Sequence, residues 1–336
     1  MLNAAAALAP VVCLLGLLVL MDSFKLLPMR FVAQAIGAGA IAAGIALLVN
    51  QQLLERLGLP LPAVTRALAP IVEEVLKLAF VAWAIYGRRV GFPVDAAIVG
   101  FAVGTGFALV ENAYYLGAVR SGGPVLWLVR GFGAAILHGA TTAIAAIIAQ
   151  TLAARRPGRR ATIVLPGLAA AIAIHALYNQ FVLPPVVATL VLLAVLPPLV
   201  LLTFERSEHA TREWVGDGLD LDVELLGLVL SDDFGQTRLG AYLEELRSRF
   251  PGPVVADMFC LMRVELELGI RVKGMLMARD AGIEMPIDED MAARLAEVRY
   301  LQKSIGPTGL LALEPLQVSS DRDAWHKFLL REQGRG

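Results

Sequence analysis

Apolar residues do not alternate along the first two hundred positions of this chain; they run. Seven stretches are almost continuously apolar: Asn3–Met21, Phe31–Asn50, Ala67–Tyr86, Val94–Gly117, Gly131–Ala153, Thr162–Phe181 and Pro184–Thr203. Each is close to the roughly 20 residues that a helix needs to cross a bilayer. Beyond Thr203 the pattern changes. Segments such as Ala241–Phe250, Val254–Met277 and Glu289–Lys303 place apolar residues at helical spacing between charged ones. Gly252, Gly282 and the Ile305–Gly309 stretch mark turns between them. The predicted fold is therefore all-α: a polytopic membrane helix bundle of about seven spans over residues 1–203, and an acidic helical soluble domain over 204–336. The first run has no Lys or Arg ahead of it and no small-residue cleavage site before Asp22, so it reads as a permanent helix and not a signal peptide.

Composition agrees with that division. Of 336 residues, 57% are hydrophobic and 18% charged, with a mean hydropathy of +0.67. That is too apolar for an ordinary soluble domain, where about 25% of residues are charged, and it excludes disorder and collagen-like repeats. The net charge of −1 conceals an asymmetry. Residues 1–203 carry 13 Lys and Arg against 6 Asp and Glu, and residues 204–336 carry 16 against 24. An acidic soluble half argues against nucleic acid as a partner. Cys13 and Cys260 fall in different halves, so no structural disulfide is expected.

Basic residues between the spans set the orientation. Loops after odd-numbered spans carry Lys25, Arg30, Arg88, Arg89, Arg155, Arg156, Arg159, Arg160, Arg206 and Arg212; loops after even-numbered spans carry only Arg56, Arg66, Arg120 and Arg130. The expectation is a bacterial-type inner membrane protein with its N-terminus outside and its C-terminal domain in the cytoplasm. The Arg155–Arg160 loop is the strongest anchor.

Charged groups are expensive within the bilayer, and there they usually mark function. Away from the span ends the charged residues are Glu73, Glu74, Lys77 and Glu111, joined by His138 and His175. Lys77 lies three and four positions after the two glutamates, so it can neutralise one of them on a helix face. The other, about 100° away, is left to face a site. Counted along the runs, Glu73, Glu74, Glu111, His138 and His175 fall six or seven residues from the outer ends, or roughly 10 Å deep at 1.5 Å per residue. Gly100 and Gly104 on one span, and Gly131, Ala135 and Gly139 on the next, allow close helix contact.

The ordered set Glu73-Glu74-Val75-Leu76-Lys77, Phe107-Ala108-Leu109-Val110-Glu111-Asn112, His138 and His175-Ala176-Leu177-Tyr178-Asn179 resembles the PrsW family of intramembrane proteases. That family is grouped with CAAX-prenyl endopeptidases and bacteriocin-processing enzymes. The match covers about a third of the chain, Ala67–Phe181. The resemblance implies site-1-type cleavage of a single-pass membrane protein, such as an anti-sigma factor, on its extracytoplasmic side, in regulated intramembrane proteolysis. The C-terminal domain lies outside the resemblance and is expected to serve regulation or a cytoplasmic partner.

Peptide hydrolysis needs an activated water and stabilisation of the developing oxyanion. The candidate residues are Glu73, Glu74, Lys77, Glu111, His138, His175 and Asn179. Glu74 or Glu73 activates the water and Lys77 sets the charge of its neighbour. Glu111 assists or orients a histidine, and His138 and His175 polarise the carbonyl or bind a metal. Asn179 orients His175 or donates to the oxyanion. The absence of HExxH favours metal-free chemistry slightly; the alternative is a zinc ion on Glu111, His138 and His175. The rival functional class is a proton-coupled transporter or channel using the same groups as a relay.

Overall fold

A computed structural model describes residues 2–316, apart from 23, 25, 26, 88, 120, 121, 156–160, 284 and 287. Most of the basic Arg155–Arg160 loop and the last twenty residues of the chain therefore lie outside the described residues, as do Lys25, Arg88 and Arg120. Among the described residues every regular element is helical. The chain forms two compact units, Met1–Glu208 and His209–Gly336.

In the first unit, α1 (Leu2–Met21) and α2 (Met29–Leu57) are followed by the short α3 (Leu61–Ala63). A π turn, Val64–Leu68, joins α3 to α4 (Ala69–Tyr86). Next come α5 (Pro93–Ala118) and α6 (Pro124–Leu128), whose π turn Val129–Ala135 leads into α7 (Ile136–Arg155). A 3-10 turn, Ala161–Val164, precedes α8 (Leu165–Asn179), and α9 runs from Pro185 to Val229. Six of these helices are long and apolar enough to cross a membrane. The seventh expected span, α4, has 18 residues but carries Glu73, Glu74 and Lys77, all buried. The final apolar run ends in mid-helix, because α9 spans 45 residues; a change of polarity does not break a helix.

The centre of the bundle is α5. Its apolar segment is 83% buried, against 22% for α1 and α8, and it packs on α7 and α2. Its start is fixed by Pro93 in the first turn and by Asp95, whose buried carboxylate accepts from the Gly91 and Phe92 amides at 3.1 and 3.3 Å. Small residues make the central contacts possible. A Cβ on Gly104 would fall on the backbone carbonyl of His138, and one on Gly100 would fall 2.6 Å from the Thr142 oxygen. This glycine pair therefore sets the distance from α5 to the turn of α7 that carries His138.

The second unit contains a 3-10 turn, Asp232–Gln236, then α10 (Arg238–Leu246), α11 (Gly252–Asp280) and α12 (Glu289–Leu313). Met258, Leu261, Val264, Leu268, Val272 and Leu276 of α11 form its core with Met291, Leu295, Val298 and Leu301 of α12. Gly252, expected in a turn, opens α11 instead, where Pro253 at the second position suits the first turn of a helix. Gly282 (φ 81°) does make a turn, and Gly306 (φ 73°) kinks α12 ahead of Pro307.

Candidate active site

Glu73, Glu74 and Lys77 sit one turn into α4, just beyond its π turn. His138 lies just beyond the other π turn, at the start of α7. Such single-turn distortions recur at functional sites because they redirect the side chains that follow. Glu111 comes from α5 and His175 from α8.

These groups meet directly. Glu74 Oε1 accepts from Lys77 Nζ at 2.6 Å and from His175 Nδ1 at 2.7 Å, and lies 3.4 Å from the Thr141 hydroxyl, whose shorter bond is to the Leu137 carbonyl at 2.9 Å. Lys77 Nζ also lies 3.1 Å from His138 Nδ1 and 5.1 Å from the centre of the Phe107 ring. The far nitrogen of His138, Nε2, reaches Glu111 Oε2 at 3.1 Å. The proton positions follow from the donors. An ammonium at Lys77 donates to His138 Nδ1, so His138 carries its proton on Nε2 and donates it to Glu111. His175 donates from Nδ1 to Glu74, which leaves the lone pair of Nε2 directed away from Glu74. That nitrogen lies 3.8 Å from Glu73 Oε2.

The two glutamates thus have different surroundings. Glu74 is 1% exposed and held by two close donors. Glu73 has one long hydrogen bond, 3.4 Å from Asn50 Nδ2 of α2, and its side chain is 12% exposed. Which glutamate pairs with Lys77 is settled by packing: the i,i+3 partner takes the ammonium, and the i,i+4 partner is left over.

Besides Thr141, two residues absent from the sequence-derived set belong to the cluster. One is Asn50, the last residue of the second apolar run. The other is Arg130, which pairs with Glu111 Oε2 at 2.9 Å, donates from Nε to Asn112 Oδ1 at 2.8 Å and stacks 3.8 Å from the Tyr115 ring. Arg130 looks like a loop residue because the fifth apolar run starts after it, but the helical path begins at Pro124. The same offset alters the depth comparison: from that helical start His138 is about two turns deeper than the apolar run suggests, yet the side chains still converge. Asn112 links the cluster to α1 by donating to the Ala7 carbonyl at 2.7 Å.

One expected contact is not made. Asn179 donates to the Thr65 carbonyl at 3.1 Å from an exposed position and does not touch His175. It is the last residue of α8, and its amide is taken by the Thr65 carbonyl. The expected ligand set also changes. Glu111 is occupied by Arg130 and His138, and Glu73 takes its place: one ligand atom each from Glu73, His138 and His175 lie within 4.8 Å of one another.

Residues 27–203 match the family model described as PrsW family intramembrane metalloprotease. No curated protein and no solved structure matches the chain. The matched segment is more than half of the chain, and the chain belongs to the PrsW family of intramembrane proteases. It is a multi-pass membrane enzyme, and this membership decides against the transporter reading. The family description also shifts the balance from metal-free chemistry to a metal. The residues present fit one. The cluster's three carboxylates exceed its two cations, Lys77 and Arg130, by one formal negative charge. His175 is oriented through Nδ1 by Glu74, as metal-binding imidazoles commonly are, and keeps its Nε2 lone pair; His138 is oriented through Nε2 by Glu111, and its Nδ1 would ligate only after giving up the Lys77 ammonium.

Proposed function

We propose that this enzyme hydrolyses a peptide bond of a single-pass membrane protein near the extracytoplasmic face, with Glu73 as the base that takes the proton from water. The carrying observation is the division of labour between neighbouring glutamates: Glu74 is locked by Lys77 and His175, while Glu73, buried with 12% of its side chain exposed, has one long hydrogen bond and lies beside His175 Nε2. Glu73, through one carboxylate oxygen with the other left as the base, His175 through Nε2, and His138 through Nδ1 once Lys77 releases it, would hold a divalent ion such as zinc, which would supply polarisation of the carbonyl and a more acidic water. Glu74 and Glu111 orient the two imidazoles, Lys77 occupies His138 Nδ1 until an ion takes its place, and Arg130 balances Glu111. An anti-sigma factor fits the substrate class implied by the family. In this reading residues 1–203 form the protease domain of an inner membrane protein with its N-terminus outside, and residues 204–336 form a cytoplasmic domain that receives a partner.

Comparative membrane proteomics of wild type against Glu73→Gln tests this reading. The expected result is one single-pass protein that loses an extracytoplasmic juxtamembrane cut. Purified Glu73→Gln and His175→Ala should also hold less metal than wild type. Normal cleavage and normal metal content in both variants would overturn the assignment.

A further inference from the structure

Asn179 makes its hydrogen bond away from His175, and the reason lies in Pro70. A helical carbonyl takes its donor from the residue four ahead, or five ahead in a π turn. In the turn Val64–Leu68 the Ala69 amide goes to the Val64 carbonyl, and Pro70 has no N–H to give. Thr65 therefore lacks both donors, and Arg66 lacks the one four ahead. Carbonyls left without partners away from water are costly. The end of α8 supplies what is missing. Asn179 Nδ2 donates to the Thr65 carbonyl at 3.1 Å, and Gln180 Nε2 donates to the Arg66 carbonyl at 3.2 Å. The second N–H of Gln180 Nε2 serves the Ala176 carbonyl, also at 3.2 Å, in the open last turn of α8. Phe181 follows with φ 53°, a left-handed conformation that glycine normally fills at a helix end. That strain fits an end of α8 set by its contacts with α4 and not by local preference.

The segments joined in this way are the two that carry the site. Glu73 and Glu74 follow the π turn on α4, and His175 lies one turn before Asn179 on α8. His175 reaches Glu74 with Nδ1 at 2.7 Å and faces Glu73 with Nε2 at 3.8 Å. Both distances depend on how α8 is set against the start of α4. We propose that Asn179 and Gln180 are positioning residues: their amides pin the end of α8 to the carbonyls that Pro70 leaves open, and so hold His175 in register with the two glutamates. Neither exchanges a proton in the reaction. Gln180 separates this role from the oxyanion role expected of Asn179, because an oxyanion donor acts alone and a staple has two pins. The role rests on the proposed reading that places His175 and the α4 glutamates in one site.

The test measures kcat, KM and melting temperature of the full chain in proteoliposomes, and the rate at which bound zinc is lost to a chelator. The probe is a fluorogenic peptide spanning a juxtamembrane site cut by wild type. Asn179→Leu and Gln180→Leu remove the donors at similar volume, and Asn179→Gln keeps an NH2 group. Asn179→Leu should lower kcat and speed zinc loss by about tenfold each, with KM within about twofold. Gln180→Leu should shift both the same way by a smaller factor, and Asn179→Gln should recover most of the loss. If Asn179→Leu does not fold, Gln180→Leu decides. Wild-type kcat and zinc loss in the leucine variants refute the proposal. So does a kcat loss confined to Asn179→Leu with zinc loss unchanged, which would make Asn179 an oxyanion donor. A kcat loss accounted for by the fraction unfolded at the assay temperature would make the contact structural only, and also refutes it. Wild type that holds no zinc refutes the ligand reading instead, and kcat alone then decides the staple. A fully active His175→Ala refutes the reading of the site itself, and the staple's role with it.

Discussion

Replacing Lys77 by methionine keeps an unbranched side chain of similar length and removes only the charge. The Lys77 ammonium is fully buried, 2.6 Å from Glu74 Oε1 and 3.1 Å from His138 Nδ1, and Glu74 is 1% exposed. Without the ammonium, Glu74 keeps only His175 Nδ1 as a close donor. Breaking a buried ion pair from one side leaves an uncompensated charge and destabilises by about 3–5 kcal/mol. The same range holds for Glu74→Gln, which strands the ammonium. Additivity would put the double variant Lys77→Met/Glu74→Gln at about 6–10 kcal/mol. The double variant strands no charge, so it should be no worse than either single, giving a coupling of at least about 3 kcal/mol. Unfolding titrations of the four proteins in bicelles measure the cycle. If Lys77→Met unfolds within about 1 kcal/mol of wild type, or if the single losses add, the ammonium is not balancing Glu74 and the assignment of Glu73 as the free carboxylate loses its basis.

Two further outcomes follow from the packing around His138. Arg130→Met should lower kcat about tenfold, because Glu111 loses its counter-charge and His138 its fixed acceptor. Arg130→Lys should not restore it, since an ammonium cannot reach Glu111 and Asn112 together while stacking on Tyr115 as the guanidinium does. Gly104→Ala places a methyl group on the His138 backbone carbonyl and should destabilise by about 1–3 kcal/mol, seen as a lower melting temperature. An unshifted Gly104→Ala would mean that α5 and α7 are not held at the observed distance.

Much of this site could be read from residue types and spacing, and the parts that could not share a physical cause. Ionisable residues inside apolar runs are conspicuous because the bilayer makes them expensive, so Glu73, Glu74, Lys77, Glu111, His138 and His175 stand out by position alone. Spacing also shows that Lys77 can reach either glutamate. It does not show which, because i,i+3 and i,i+4 partners are equally accessible on an isolated helix, and the choice is made by α7 and α8 packing from the other side. Asn50 and Arg130 were hidden by the boundary of an apolar run. Hydropathy marks where a chain becomes comfortable in lipid, while helices begin at their caps and prolines. The helix carrying His138 starts at Pro124, so Arg130 lies on it although it precedes the apolar run. Asn179 is still within α8, four residues after His175, but spacing does not show that its amide is taken by the Thr65 carbonyl.

The arrangement explains why a cluster this polar can persist in a membrane. Two of its carboxylates are tied up: Glu74 by Lys77 and His175, and Glu111 by Arg130 and His138. Each of these groups serves at once as counter-charge and as orienting partner, which is the condition under which buried ion pairs are tolerable. Phe107, packed 4.8 Å from the His138 ring and 5.1 Å from Lys77, closes the gap between them with apolar surface. The remaining carboxylate, Glu73, has no cation of its own in this arrangement and lies beside an imidazole lone pair. A site whose purpose was structural would be better served by giving that carboxylate a counter-charge as well, and its being left without one supports the proposed role of Glu73 where α4 meets α8.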